Sequence, residues 1–431
     1  MFKVKQLPAS LAMIAAIALI ALHPLTARAQ AQEQEEQEEA ARQSPALQQK
    51  VMEDPLTLAP VVWSVLATPI YPVRGTDGRI HLVYELHVSN ITGAPVRVRA
   101  IEVLDAKDNQ VSGANRVIAV DGTDVTGKLR KLGGQATLTA ADYAERLGAL
   151  DSGLVYMDVS YGDARDVPRR IKHRFIVAQG NGDDAVVTTV VGGLTEVSRK
   201  EAIVVAPPLK GAGWVNADGC CQIIGPHRYT ILPLNGAFKP PEHFAIDFIR
   251  FDAQGRAFTG DLKVLTNWHY YGAEIVSATP GRVVEVVSNL PDQVPGQLPA
   301  DITLETADGN HVIVDIGQGR YALYAHMIPG SVAVSVGDFV QPGQLLGRLG
   351  NSGNTDGPHL HFQIMDSPSA LNANGLPFVF DRMQYQGRIV GTAADVNQTI
   401  SDGQPPMIDM RGAGARTGQM PLTFDIVGFR Q

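Results

Sequence analysis

Short runs of alternating apolar and polar residues dominate the chain from about Pro55 to Gln179. In the run at residues 81–88, one predicted strand face is apolar and consists of Leu82, Tyr84, Leu86 and Val88. The opposite face carries His81, Glu85 and His87, which we expect to be exposed, as we expect for His173. Evenly spaced short strands separated by Gly, Asn and Asp are typical of an immunoglobulin-like β-sandwich. The predicted class is therefore all-β, with this sandwich at the N-terminal end.

Changes in the pattern divide the chain into five segments. They are a signal peptide at 1–29, an acidic Glu/Gln-rich leader at 30–54, the β-sandwich domain at 55–205, a second domain at 206–385 and a C-terminal extension at 386–431. Pro207-Pro208, followed closely by Gly211, separates the two domains, because consecutive prolines continue neither a central strand nor a helix. We expect a chain that begins near Ala206 to keep the residues needed for chemistry.

The first 29 residues have the pattern of a secretory signal. Lys3 and Lys5 precede the apolar run at 11–22, and Ala27-Arg28-Ala29 provides a cleavage site. The run is too short to span a bilayer comfortably. We therefore predict an exported protein, periplasmic or extracellular, with no stable membrane anchor after signal cleavage.

Composition narrows the function classes. The 36 basic and 44 acidic residues give a net charge of −8, which excludes nucleic-acid binding by bulk electrostatics. The cysteines, Cys220 and Cys221, are too few for a disulfide framework or a four-cysteine zinc site. Because they are adjacent, the sequence leaves their redox state open.

Two segments more than a hundred residues apart carry metal-ligating side chains. In the strand-like run after the glycine-rich stretch, His359, His361 and Gln363 are predicted to share one face. His243 and Asp247 are four residues apart, and they also share a face if their segment is extended. Two such strands side by side would bring three imidazoles and a carboxylate together. That composition predicts a catalytic zinc site.

A third segment, at residues 311–330, is predicted to be a hairpin that turns at Gly317-Gln318-Gly319. Tyr324 and His326 lie on its return strand, and His326 is the best remaining candidate for an acid or base. His227 and His269 could line a cleft, but packing or exposure is the favoured interpretation for both.

The order of the motifs HFAID, LYAHM and GNSGNTDGPHLHF resembles the lysostaphin/LytM-type zinc metalloendopeptidases, a family of peptidoglycan hydrolases. The resemblance covers roughly residues 220–370. It implies a small antiparallel β domain with one zinc per chain in a groove. It also implies zinc ligands His243, Asp247 and His361, and a catalytic pair formed by His326 and His359. Ala245 departs from the glycine most common at its place.

The resemblance implies that a zinc-activated water hydrolyses peptide bonds in peptidoglycan cross-links or stems. The expected partners are therefore peptidoglycan peptides. The main alternative is a non-enzymatic cell-wall-binding protein or an activator of another hydrolase. A carrier module is disfavoured, because such hairpins need an exposed tip lysine and none lies between Val283 and Arg348.

Overall fold

The computed structural model describes residues 56–107, 118–119, 129–132, 146–180, 185–221 and 225–429. The predicted signal peptide and leader lie outside these residues. The chain divides into two compact units, Met1–Thr57 and Leu58–Gln431, and every strand reported below belongs to the second. Within the described part of the chain, no helix has both the length and the apolar character needed to cross a membrane.

The first half of the second unit is built from short antiparallel strands. They are β1 (Val61–Val65), β2 (Pro72–Arg74), β3 (Ile80–Asn90), β4 (Val96–Asp105), β5 (Ile118–Ala119), β6 (Leu129–Lys131), β7 (Arg146–Leu147), β8 (Ser152–Tyr161), β9 (Arg170–Gln179) and β10 (Val186–Glu196).

These strands form two sheets that enclose one apolar core. One sheet has the order β1-β3-β8-β6, with β2 beside β3; the other has the order β10-β9-β4-β5, with β7 beside β4. The immunoglobulin fold places strands A-B-E-D opposite G-F-C, and the observed order follows that scheme strand by strand. The predicted sandwich and the all-β class are therefore confirmed.

Strand β3 is buried on both faces. The predicted apolar face packs into the sandwich core, as expected, but Glu85 on the opposite face is only 1% exposed. Val83, also on that face, belongs to the core of the second half of the chain, which covers this side of the sandwich. The predicted exposure of Glu85, His81 and His173 is therefore wrong, since all three side chains are buried.

The buried His81 is expected to make folding depend on pH. Its ring nitrogens lie 3.0 Å from Asp158 Oδ1 and 3.2 Å from Asp77 Oδ2. Burial lowers the pKa of His81, but the two carboxylates outweigh it and raise the pKa to about 9. The folded state thus holds this proton more tightly than the unfolded chain, whose histidine pKa is about 6.5. The stabilisation is complete below about pH 6.5 and is lost as the pH rises through about 9.

We expect the free energy of unfolding to fall by roughly 1–3 kcal/mol over that interval. Denaturant titrations at several pH values measure it, and His81→Gln should flatten the dependence. An unchanged pH dependence in His81→Gln would contradict the assignment.

The second half contains the remaining strands and two helices. The strands are β11 (Ile203–Val205), β12 (Gly211–Asp218), β13 (Leu232–Leu234), β14 (Ala237–Lys239), β15 (Ile246–Arg250), β16 (Glu274–Val276), β17 (Gly281–Val287), β18 (Asn310–Gly317), β19 (Arg320–Met327), β20 (Phe339–Val340), β21 (Leu345–Arg348), β22 (Leu360–Met365), β23 (Gly375–Leu376), β24 (Phe378–Phe380), β25 (Met383–Ile389), β26 (Ile408–Asp409), β27 (Gly414–Arg416) and β28 (Asp425–Phe429). The helices are α1 (Pro226–Tyr229) and α2 (Ala393–Ser401).

One large sheet organises this half of the chain. Among the described residues its strand order is β20-β17-β18-β19-β22-β15-β12-β28-β25-β26, with β23 beside β22 and β27 beside β25. The predicted hairpin is confirmed, because β18 and β19 pair across a turn at Gly317 and Arg320. Cys220 and Cys221, whose redox state the sequence left open, form a disulfide.

Residues from outside the predicted limits of the second domain, 206–385, contribute strands to this half of the chain. The C-terminal strands β25 and β28 extend the sheet, and β28 pairs directly with β12. Strand β11, which precedes Ala206, runs parallel to β24. The C-terminal residues are therefore an integral part of the sheet, and the limits drawn from composition stay a prediction.

Candidate metal centre

The H-x-H segment lies in the middle of the large sheet. His361 is in β22, between β15 and β19, and every residue of β22 is buried. In the register of the sheet, His361 lies opposite Asp247 of β15 on one side and Ala325 of β19 on the other. The pairing brings His361 Nδ1 to 3.0 Å from Asp247 Oδ1. The predicted meeting of Asp247 and His361 is therefore observed.

A second imidazole reaches Asp247 from α1. His227 Nε2 lies 3.2 Å from Asp247 Oδ2, and its ring centroid is 4.8 Å from that of His361. The backbone N–H of His227 donates to Asp218 Oδ2 over 3.0 Å. Gly225 permits this approach, since a Cβ at that position would lie 1.7 Å from Asp218 Oδ1. Sequence reasoning favoured packing or exposure for His227 and missed this placement.

His243 does not lie beside Asp247 and His361. Its Nδ1 is 3.4 Å from Glu85 Oε2 in the sandwich, and its ring stacks on Phe244 with centroids 4.4 Å apart. The predicted common face of His243 and Asp247 is wrong, because residues 241–244 form a turn and β15 begins only at Ile246. The alternation that would align two residues four apart does not extend back to His243.

The donor set of His227, Asp247 and His361 fits a zinc ion. Zinc bonds of about 2.0–2.2 Å at tetrahedral angles place neighbouring ligand atoms roughly 3.4 Å apart. The observed nitrogen–oxygen separations of 3.2 and 3.0 Å are close to that value. All three ligand atoms lie within 4.8 Å of one another. Two neutral imidazoles and one carboxylate are common zinc ligands.

Each imidazole of this set is held by its other nitrogen. With Nδ1 protonated, His227 donates to the carbonyl oxygen of Ala245 over 3.3 Å. With Nε2 protonated, His361 donates to Gln363 Oε1 over 3.1 Å. These contacts leave His227 Nε2 and His361 Nδ1 as acceptors beside Asp247. Metal-ligating histidines are fixed in this way, which selects the tautomer and orients the ring.

The electrostatics of the pocket favour positive charge. Burial lowers the pKa of His227, but the carboxylates of Asp247 and Asp218 outweigh it and raise the pKa to about 10. Burial raises the pKa of Asp247, but His227 and His359 hold it well below its usual range. Surroundings that stabilise a protonated imidazole also stabilise a metal cation.

His326 and His359 form a neighbouring pair, with ring centroids 4.6 Å apart. His326 Nδ1 is 2.7 Å from the carbonyl oxygen of Ser352, and His359 Nδ1 is 2.8 Å from that of Gly357. If each Nδ1 donates its proton there, His326 Nε2 is left as an acceptor, whereas His359 Nε2 lies 3.3 Å from Asp247 Oδ1. Burial, together with the adjacent imidazoles of His359 and His361, lowers the pKa of His326 well below its usual range.

The backbone of His326 is itself unusual. Its φ is +61°, in the left-handed region that side chains with a Cβ rarely adopt. Such a conformation costs about 1–3 kcal/mol and persists where the surroundings impose it, often at functional sites.

His326, His359 and His361 also form a second group of potential ligands, which shares His361 with the first. The first group is the better metal set because it contains the carboxylate.

A cleft leads to the centre. Asp247 and His359 line it together with the aromatic side chains of Phe258 and Trp268. Ile400 of α2 lines the same cleft. The cleft reaches Asp247 and His359, so the C-terminal helix helps to shape the approach to the centre.

Residues 268–373 match the sequence profile of Peptidase family M23. Over this segment, about a quarter of the chain, the sequence is similar to that family. The resemblance to lysostaphin/LytM-type enzymes is thereby confirmed. The match includes His326, His359 and His361, whereas Asp247 and His227 lie upstream of it.

The similarities to individual proteins are short or weak. The chain is 34% identical over 65 residues to the peptidoglycan DD-endopeptidase ShyA of Vibrio cholerae, and this stretch covers only 15% of either chain. The catalytic domain of the M23 protein EnpA from Enterococcus faecalis matches with 23% identity and a TM-score of 0.24, over 39% of this chain and 92% of that one. A zinc-containing peptidase from Vibrio cholerae matches with 12% identity and a TM-score of 0.21, over 71% and 83%. Likenesses this weak carry no argument about chemistry.

Proposed function

We propose that the protein is an exported zinc metalloendopeptidase that hydrolyses peptide bonds in peptidoglycan cross-links or stems. One zinc per chain would be held by His227, Asp247 and His361, beside the catalytic pair His326 and His359. The observation that carries the proposal is that three imidazoles contact one half-buried carboxylate, with the fourth imidazole, His326, beside His359 and His361, in a chain that matches the M23 profile.

Zinc, when bound, supplies Lewis-acid chemistry that polarises a carbonyl and makes water acidic enough to attack at neutral pH. The surrounding side chains would supply the remaining functions. His227 and His361 present one unprotonated nitrogen each, with Asp247 Oδ2 beside the first and Asp247 Oδ1 beside the second. The hydrogen bonds behind both rings keep them in this orientation.

His326 and His359 are suited to proton transfer. The Nε2 atom of one of the two accepts the proton of the attacking water and later returns it to the departing amine. Protonated Nε2–H groups at the same positions would stabilise an oxyanion in the transition state. The adjacent rings make the pair a single functional unit.

Peptidoglycan as the substrate rests on two supports. The curated relative ShyA is a peptidoglycan DD-endopeptidase. The pattern of the first 29 residues supports export to the compartment where that polymer is found.

We expect the purified protein to release soluble fragments from peptidoglycan, identified by mass spectrometry. Cleavage should stop when a chelator removes the metal and should return when zinc is added, because the three ligands form an incomplete catalytic site without it. The masses of the fragments identify the bond that is cut.

Heat-denatured protein and a His361→Ala variant are the matched controls. Binding to peptidoglycan without any fragment release, in protein shown to contain zinc, would contradict the proposal and support the non-enzymatic alternative. Undiminished cleavage by protein shown to be metal-free would contradict the role of zinc.

A further inference from the structure

A buried ion pair joins the sandwich to the short helix that carries His227. Glu85 of β3 and Arg228 of α1 are each 1% exposed. Arg228 Nε donates to Glu85 Oε1 over 3.0 Å, and Nη2 lies 2.9 Å from the same oxygen. Arg228 Nη1 donates to the carbonyl oxygen of Cys221 over 2.8 Å. The guanidinium is therefore fixed in position and direction.

Further sandwich residues hold the same helix. Arg228 lies over the Tyr156 ring, 5.8 Å from its centroid, and that ring packs edge-on against Tyr229. Arg130 Nη1 donates to the carbonyl oxygen of Tyr229 over 3.1 Å. Two successive residues of α1 are thus docked on the sandwich.

Helix α1 has four residues and cannot be stable by itself, because so short a helix does not repay the cost of nucleation. Its position therefore depends on its tertiary contacts. His227 contacts Asp247 on one side, and Arg228, the next residue, contacts Glu85 on the other. A displacement of Arg228 would displace His227 with it.

We infer that the sandwich domain completes the metal centre, with Glu85 acting through Arg228 as a positioning residue for His227. This inference rests on the proposed function, since it concerns the same metal site. It assigns the sandwich a part in building that site, in place of a role limited to targeting.

The test compares Glu85→Gln with Glu102→Gln in the full chain. Glu102 pairs with Arg174 inside the sandwich and so provides a matched control. We expect Glu85→Gln to weaken zinc affinity about 10–100-fold, the usual effect of losing a contact that orients a ligand. Glu102→Gln should bind zinc as the parent does. Competition with a chromophoric chelator measures the affinities, and circular dichroism verifies folding.

A double variant separates positioning from stability. Glu85→Leu combined with Arg228→Met removes both charges, and replacement of a buried ion pair by apolar side chains generally preserves stability. We expect this variant to melt near the parent temperature but to bind zinc as weakly as Glu85→Gln. Faster amide exchange at residues 227–229 in its metal-free form would give independent support.

Parental zinc affinity in a folded Glu85→Gln and in the double variant would overturn the inference. That result is independent of whether the parent cuts peptidoglycan. Failure of the inference and failure of the proposed function are therefore distinguishable.

Discussion

Replacing His227 by alanine is expected to remove zinc and abolish peptidase activity, although His227 lies in neither the H-x-x-x-D nor the H-x-H motif. Its Nε2 is one of the three atoms that meet at the proposed metal position, 3.2 Å from Asp247 Oδ2. Loss of a contact behind a ligand costs about 10–100-fold in metal affinity, so loss of the ligand itself should cost at least about 100-fold. Zinc content after dialysis and chelator competition provide the measurement.

His243→Ala is the matched control. His243 is buried against Phe244 and Glu85, so its loss should lower thermal stability while zinc stays bound. Asp247→Ala and His361→Ala should behave like His227→Ala. If His243→Ala lost the metal and His227→Ala kept it, the ligand set inferred from the H-x-x-x-D spacing would be correct and the one proposed from the structure would not.

Strand periodicity explains which parts of the site could be predicted. His361 and Asp247 lie on adjacent paired strands, where the alternation of side chains fixes the facing residues. His243 was misplaced because it lies in the turn at residues 241–244, and alternation begins only at Ile246. Spacing of four indicates a shared face only when the whole segment is extended.

His227 could not be found in the same way. Helix α1 is too short to show a periodic pattern, and its position depends on residues far away in the sequence, above all Glu85. Glu85 itself was predicted to be exposed, because alternation reveals the polar face of a strand but not what covers it. The available signal was Glu85 itself, a charged residue in the largely apolar strand β3.

The contacts of α1 also change the expectation for a shortened chain. The sequence suggested that a chain starting near Ala206 would keep the residues needed for chemistry. Such a chain would lack Glu85 and leave the charge of Arg228 buried without its partner. It would also lack β11, the strand that pairs with β24. We therefore expect the shortened chain to bind zinc more weakly than the full chain.

His326→Ala and His359→Ala are expected to keep zinc and lose turnover, by about 10²–10⁴-fold, the usual contribution of a positioned acid or base. Both rings lie beside the proposed metal position, with Nδ1 against a backbone carbonyl and Nε2 left to exchange protons. Fragment release from soluble cross-linked peptides gives the rate, and zinc content is measured on the same samples.

The zinc contents of His326→Ala, His359→Ala and His227→Ala also decide between the two overlapping groups of potential ligands. His359 Nε2 is 3.3 Å from Asp247 Oδ1, close enough for His359 to compete as a ligand. If His326→Ala and His359→Ala lost zinc while His227→Ala retained it, the metal would be held by His326, His359 and His361. Retained zinc with near-full activity in both variants would instead exclude the pair from proton transfer. We expect both variants to retain zinc and to lose about 10²-fold or more in rate. The reason is that, of the two groups, the one formed by His227, Asp247 and His361 supplies the charge of a carboxylate in addition to metal-facing nitrogens.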